Sequence, residues 1–214
     1  MSLSSGVAVV SLGIDTDAFR RAIFRNPAQG DGVVRRWIFI LVLVLAFDGA
    51  ALWFWRQHKE RRFNPLIREA ALKYQLPPAL VKAVIWKESD FDPNAVGKAG
   101  EIGLMQLMDE AAHEWAGSMH LTGFAHEHVF DPRTNTLAGA YYLSKVMRRY
   151  STTDDPVTYA LADYNAGRGN VLKWMTGPAR TNSAAFRAQI GFPSTRAYVD
   201  AIRQRYAEYR TDFR

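Results

Sequence analysis

The chain of 214 residues contains no cysteine. No disulfide can form, no zinc site can be built on thiolates, and no lipid can be attached through a cysteine. Strand signals are equally scarce, because no run of alternating or β-branched residues exceeds five positions, and there are no internal repeats. Nucleic-acid signatures are missing too. The formal net charge is +6, which suits nucleic acid, anionic membranes or anionic wall polymers. Apart from the stretch Arg56 to Arg62 the basic residues are scattered, and no nucleic-acid motif accompanies them, so no nucleic-acid partner is expected. A hydrophobic share of 48% against 22% charged excludes a disordered chain and is enough for one domain with a real core plus an appendage.

The appendage is an apolar run. Trp37 to Trp55 reads WIFILVLVLAFDGAALWFW, with Asp48 as its one charge. At helical rise it spans about 28 Å, close to the hydrocarbon thickness of a bilayer. Trp37 at one end and Trp53, Phe54 and Trp55 at the other suit the interfacial belts. Asp48 costs about 2.5–3.5 kcal/mol at mid-membrane, which the surrounding Leu, Ile, Val and Phe offset. Residues 37–55 are therefore expected to form a transmembrane segment or signal anchor. A buried core helix is one alternative. A cleaved signal peptide is another, with Gly49-Ala50-Ala51 as a small-residue cleavage site, although aromatic residues continue past it. Arg35 and Arg36 precede the run while Arg56, Lys59, Arg61 and Arg62 follow it, so charge alone does not orient it. Residues 1–36 form an N-terminal tail to which no function is assigned. Within the tail Thr16 to Arg25 can form a short amphipathic helix, ended by Asn26-Pro27 and Gly30-Asp31-Gly32.

Residues 56–63 read as a juxtamembrane linker and 64–214 as a mostly α-helical domain. Helices are expected over Leu66 to Tyr74, from Pro77-Pro78 to Glu88, over 109–117, and over Leu137 to Tyr150. Asp155-Pro156 reads as a cap and first-turn proline, followed by Val157, Ala160, Leu161 and Tyr164 at helical spacing. Gly167 stands where a helix-ending glycine belongs. Ser194 reads as the cap of a last helix with Tyr198, Ile202 and Tyr206 on its apolar face.

Glu88 carries the chemistry. It lies three, four and seven positions after Ile85, Val84 and Val81, on the apolar stripe of its helix. A carboxylate there is costly unless paired or protonated, and burial raises the pKa of an acid. An acid still protonated near neutral pH can donate a proton to a leaving oxygen. The plainer reading is a half-buried Glu at a frayed helix end, bonded to backbone amides.

The residues around Glu88 decide between the two. Glu88-Ser89 is followed by Gly103-Leu104-Met105-Gln106, then by Asp163-Tyr164-Asn165-Ala166-Gly167, and last by Thr195-Arg196-Ala197-Tyr198-Val199. Phe130-Asp131-Pro132 and Asn135 precede a helix holding Gly139 and Tyr142-Leu143. Each short match is weak, but in this order and spacing the set resembles the lytic transglycosylases of the soluble (SLT) type, whose domain is similar to goose-type lysozyme. The resemblance covers residues 64 to 209. It implies an all-α, lysozyme-like domain that cleaves the bond between N-acetylmuramic acid and N-acetylglucosamine in peptidoglycan. It further implies that one glutamate, here Glu88, first protonates the bridging oxygen and then takes the proton of the C6 hydroxyl, closing a 1,6-anhydro ring without water. No cofactor is implied. Ser89, Met105, Gln106, Tyr164 and Asn165 would bind substrate, and the Tyr198 hydroxyl would reach the Glu88 carboxyl. A substrate outside the cytoplasmic membrane implies a single-pass protein with its catalytic domain on the periplasmic side of a bacterial membrane.

Three positions depart from that family's pattern: Gly97 where many relatives carry Ser, Glu101 in place of a small residue, and Ser194 in place of Glu. They put the fine geometry in question and leave the acid in place. Two hydrolytic or binding alternatives stay open: a lysozyme that uses water, with Asp90, Asp92, Glu101 or Asp163 as base, and a glycan-binding scaffold without turnover. Metal readings are weaker. Asp90, Asp92, Asn94 and Glu101 fall at EF-hand positions, but Ala95 takes the required glycine's place. His113, His120, His126 and His128 are dense, and an exposed histidine-rich loop accounts for them. No metal is expected.

Overall fold

The computed structural model describes residues 27–213, with side chains from residue 35. The chain divides into two units, residues 1–55 and 56–214. The expected helix from Thr16 to Arg25 lies outside the described residues.

Helix α1, Pro27–Arg61, runs across the expected segment 37–55. It begins earlier than the sequence suggests and includes Gly30-Asp31-Gly32. Proline is tolerated in a first turn, and a helical glycine costs about 1 kcal/mol without ending the helix. Its part within the first unit exposes Trp37 through Phe47 and Leu52 through Trp55, and it is long and apolar enough to cross a membrane.

In the second unit, residues 56–61, within the expected juxtamembrane linker 56–63, are helical and continue α1. Glu60 is buried, accepts from the Tyr209 hydroxyl at 3.0 Å and pairs with Arg56 at 3.1 Å. The i,i+4 pair and the buried tyrosine partner keep this basic run helical and packed. Six further helices are the main elements: α2 (Asn64–Tyr74), α3 (Pro78–Ser89), α4 (Asp109–Ser118), α5 (Pro132–Arg149), α6 (Pro156–Ala166) and the short α7 (Arg168–Trp174). Then come α8 (Ser183–Gln189) and α9 (Pro193–Tyr209), with 3-10 turns at His126–Phe130, Gly177–Arg180 and Arg210–Phe213. Among the described residues there is no strand, only isolated bridges from Ile102 to Val96 and to Leu107.

Helix α3 is the centre of the domain. Every residue from Ala79 to Ile85 is buried, and α9 and α2 pack on it while α6 bridges α5 and α9. Burial all round explains why a stripe of three apolar residues understates the helix: Lys82 is fully buried as well. Its ammonium pairs with Asp212 at 2.6 Å and lies 4.6 Å from the ring centre of Tyr209. A buried ammonium is tolerable only with partners of this kind.

Two expected caps differ. Helix α6 starts at Pro156, but the Asp155 carboxylate accepts no backbone N–H of that helix; it accepts from the Thr158 hydroxyl at 2.9 Å and pairs with Arg203 of α9. Helix α9 starts one residue before Ser194, at Pro193, with Phe192 as its flanking residue. Proline favours the first helical position, so Ser194 falls inside the first turn.

Candidate active site

Glu88 is the penultimate residue of α3. The helix stops because Asp90 and Phe91 take left-handed conformations, with φ of 48° and 63°, and Phe91 is then buried. Glu88 is half-buried. Its Oε1 accepts from the hydroxyl of Tyr198, itself buried in α9. Burial pushes the Glu88 carboxyl up to about 7; the Tyr198 bond and Lys87 oppose that rise, and Glu101 adds to it. No ion pair compensates Glu88 among the described residues, so desolvation dominates. The result is a carboxyl that is part protonated and part ionised at neutral pH, the condition for giving and then accepting a proton. Burial, with the nearby Glu88 charge as a further cause, also holds the hydroxyls of Tyr198 and Tyr164 well above the ordinary tyrosine value, so both stay hydrogen-bond donors.

The turn at residues 103–106 forms one wall. Gly103 has φ of 78°, and a Cβ there would lie 2.1 Å from Asn135 Nδ2 and 2.8 Å from the Val129 carbonyl oxygen. Only glycine allows the turn to sit this close to α5. Asn135 is fully buried and fully used: Oδ1 accepts from Met105 N–H at 2.8 Å, and Nδ2 donates to the carbonyls of Ile102 and Val129 at 3.0 and 2.9 Å. This one amide ties the turn, the 3-10 segment and α5 together.

The other residues singled out from the sequence fall into distinct places. Ser89 Oγ donates to the carbonyl of Leu104 at 2.8 Å, clamping the end of α3 to the turn. Met105 is the clear departure. Its side chain is fully buried and packs on Gly139, where a Cβ would come within 2.3 Å of its sulfur, so it is core and does not line a groove. Its backbone carries its contribution, accepting the Tyr164 hydroxyl at 2.9 Å. Gln106, at φ of 46°, uses its amide N–H groups within the turn, on Gly103 and Ala95 carbonyls at 2.9 and 3.1 Å. Asn165 is exposed and its Oδ1 accepts from the Thr195 hydroxyl at 2.8 Å, which ties α6 to the first turn of α9.

Gln106 and Tyr164 both line a groove of about 300 Å³, together with Met108, Glu110 and Glu114 of or beside α4 and Tyr142, Lys145 and Arg149 of α5. Glu88 is not among the groove's lining residues; Tyr164, whose hydroxyl senses the Glu88 charge, is the link between the two. Sequence reasoning missed the charged wall. Lys145 pairs with Glu114 and Arg149 with Asp163 at 3.2 Å. Such cross-helix pairs leave no periodic mark in the sequence.

The metal readings find other employment for their residues. Asp90 pairs with Lys59 at 2.7 Å, Asp92 Oδ1 accepts from Asn94 N–H, and Glu101 accepts from Ala99 N–H. His126 bonds the Leu107 carbonyl, His128 accepts from Ala125 N–H, and His113 sits by Asp109.

The domain thus holds a half-buried acid at the end of its central helix, bonded to a buried tyrosine, with Tyr164 leading from it to the groove. Residues 65–186 match the family described as the transglycosylase SLT domain, and the chain belongs to that family. It is 30% identical over 173 residues to the soluble lytic murein transglycosylase of Escherichia coli strain K12, covering 78% of this chain and 26% of that protein. It is 41% identical over 113 residues to membrane-bound lytic murein transglycosylase F of Desulfosudis oleivorans, covering 51% of this chain and 23% of the relative. The structure resembles the 70 kDa soluble lytic transglycosylase of Escherichia coli with a TM-score of 0.64 at 30% identity, over 79% of this chain and 28% of that one. An inactive mutant of the lytic transglycosylase Slt from Pseudomonas aeruginosa gives 0.65 at 25% identity, over 72% and 24%. The chain thus spans about a quarter of the length of these relatives.

Proposed function

We propose that the protein is a peptidoglycan lytic transglycosylase whose residues 64–214 form the catalytic domain. The observation that carries this reading is the Glu88 carboxyl, held near neutrality by burial and bonded to Tyr198, in a chain of the SLT family. Protonated Glu88 gives its proton to the glycosidic oxygen between N-acetylmuramic acid and N-acetylglucosamine. The bond from C1 to that oxygen breaks, and positive charge develops at C1. Ionised Glu88 then takes the proton of the C6 hydroxyl, whose oxygen closes on C1. The C6 hydroxyl is tethered, and intramolecular attack has effective molarities of about 10⁵ M or more, which favours it over water. Tyr198 holds the carboxyl in place, and Gln106, Tyr164 and Asn165 border the sugars, with Ser89 and Met105 supporting the wall from behind. The charged groove side suits the peptide-bearing face of the strand.

The helix spanning residues 37–55 serves as a single-pass membrane anchor, with the catalytic domain on the periplasmic side where peptidoglycan lies. The exposed apolar surface of that helix and the membrane-bound names of several relatives support membrane association.

Product analysis tests the reaction. Digestion of purified peptidoglycan in water enriched in heavy oxygen should release muropeptides ending in 1,6-anhydro-N-acetylmuramic acid, lighter by one water than hydrolysis products and free of label. Labelled reducing ends would make the protein a hydrolase, and intact strands would make it a binding protein.

A further inference from the structure

Helices α4 and α5 border one groove, and each lines it with charge at helical spacing. On α5, positions 142, 145 and 149 share a face and bring Tyr142, Lys145 and Arg149 to the groove. On α4, Glu110 and Glu114, one turn apart, do the same. Two of these charges satisfy each other. Lys145 pairs with Glu114, which also accepts from the Tyr141 hydroxyl at 3.2 Å. The other two remain available. Among the described residues the Glu110 carboxylate has no hydrogen-bond or ion-pair partner. Arg149 makes one hydrogen bond there, from Nη1 to Asp163 at 3.2 Å, which leaves most of its N–H donors unused. That bond also holds the guanidinium from behind: Asp163 is buried and is fixed in turn by the Tyr150 hydroxyl at 2.6 Å. Tyr142 has no hydrogen-bond partner for its hydroxyl among the described residues. Burial and the Asp163 charge hold that hydroxyl above the ordinary tyrosine value, so it stays a donor.

We propose that this groove is a subsite for the dipolar amino-acid end of a stem peptide, with its carboxylate on Arg149 and its ammonium on Glu110. The identity of the ligand rests on peptidoglycan as the substrate. Two observations select it. The lining carries Lys145 and Arg149 against Glu110 and Glu114, so its charges cancel and a polyanion gains no general attraction there. The two unused charges are of opposite sign and stand on different helices, so a ligand must present both signs to satisfy both. A diaminopimelate residue has that form, because the end of its side chain bears an ammonium and a carboxylate on one carbon. The planar guanidinium of Arg149 suits a carboxylate, and the Tyr142 hydroxyl offers one further donor. Cross-linking acylates the ammonium and removes its charge. The groove therefore favours strands whose stem peptides are not cross-linked at that amine.

The test uses the full chain in detergent and calorimetric affinities for ligands that lack the scissile bond. These are the disaccharide of N-acetylglucosamine on N-acetylmuramic acid, the same disaccharide carrying L-alanyl-γ-D-glutamyl-meso-diaminopimelate, and that tripeptide form with its side-chain amine acetylated or its side-chain carboxyl amidated. Wild type should bind the tripeptide form about tenfold more tightly than the bare disaccharide, and either modification should remove most of the gain. Glu110→Gln should bind the tripeptide form several-fold more weakly and be blind to acetylation. Arg149→Gln should be blind to amidation, with its melting temperature recorded because Asp163 loses its partner. Glu110 has no such partner, so its variant keeps the test decisive if Arg149→Gln unfolds. A merely structural role for either residue would leave the sensitivity to ligand modification in place. On strands, the preference for peptide-bearing over amidase-stripped substrate should shrink in Glu110→Gln, through KM more than kcat. The proposal is overturned if wild type does not distinguish the tripeptide form from the bare disaccharide, or if acetylation weakens wild type and Glu110→Gln alike. Intact strands together with affinities that depend on Glu110 would overturn the catalytic reading and leave the subsite standing. Cleaved strands together with affinities blind to the amine would do the reverse.

Discussion

Two carboxyls in this domain lose most of their water and are treated in opposite ways. Asp163 in α6 is 1% exposed. It accepts from the Tyr150 hydroxyl at 2.6 Å and pairs with Arg149 at 3.2 Å. Glu88 also accepts from a buried tyrosine, but among the described residues no arginine or lysine pairs with it. One site spends a cation to hold a charge in the interior and ties α5 to α6. The other withholds the cation, and the carboxyl responds by holding its proton to about pH 7. The fold thus makes an anchor and an acid from the same ingredients, and the missing cation is the difference.

The largest effect should come from removing the acid. Glu88→Gln keeps the shape and the Tyr198 contact but has no proton to give, and turnover on peptidoglycan should fall about 10²- to 10⁴-fold, as read from muropeptide release. The same exchange at the anchor should behave differently. Asp163→Ala leaves the Tyr150 hydroxyl buried without its acceptor and should cost about 1–3 kcal/mol in chemical denaturation. A Glu88→Gln protein as destabilised as Asp163→Ala would erase the distinction between the two sites.

How far this contrast can be read from the sequence depends on the residue. Glu88 was legible because Val81, Val84 and Ile85 mark its face and the motif fixes its place. Tyr198 was legible from the late motif alone, since nothing local says that its hydroxyl turns toward α3. The partner of Asp163 was not legible: Arg149 sits at the exposed end of another helix, and no spacing connects them. Lys82 was missed for a related reason, because a helix buried on all sides shows no polar face against which a buried lysine would stand out. Met105 was misplaced because the sequence cannot show that Gly139 opens a slot for its side chain. Helices α7 and α8, each seven residues long, are too short to show a period. Helices α2, α3 and α4 were legible to within about two residues, since proline and apolar spacing are local signals. By contrast α1 and α5, the two longest, start at Pro27 and Pro132, well before the expected Trp37 and Leu137, because their polar first turns carry no apolar spacing.

That slot gives the next prediction. Gly139→Ala would place a methyl 2.3 Å from the Met105 sulfur. It should cost about 1–3 kcal/mol by overpacking and should displace the turn that borders the groove, raising KM more than it lowers kcat. An alanine tolerated without loss would show that Met105 can leave the core and would return it to the groove.

The smallest effect concerns the tyrosine that both sites share in kind. Tyr198→Phe removes the bond that favours ionised Glu88, so the Glu88 midpoint should rise and the basic limb of kcat/KM should move to higher pH. Loss of one hydrogen bond to the reacting carboxyl should lower kcat about tenfold. A basic limb that moves to lower pH would show that the hydroxyl bonds the protonated acid instead.

The central claim is that the fold gives up stability to keep a proton on Glu88, and the pH dependence of unfolding tests it. With the folded carboxyl titrating at about 7 against an ordinary value of 4.5, the folded state binds more protons than the unfolded state between those values. Stability is therefore full below about pH 4.5 and falls as pH rises through 7. The Glu88→Gln protein lacks this term. Denaturation of both proteins from pH 4 to pH 8 should show wild type losing up to about 3 kcal/mol relative to Glu88→Gln, with the loss complete above pH 7. Parallel curves would contradict the account, because they would mean that Glu88 is no harder to ionise in the fold than in water.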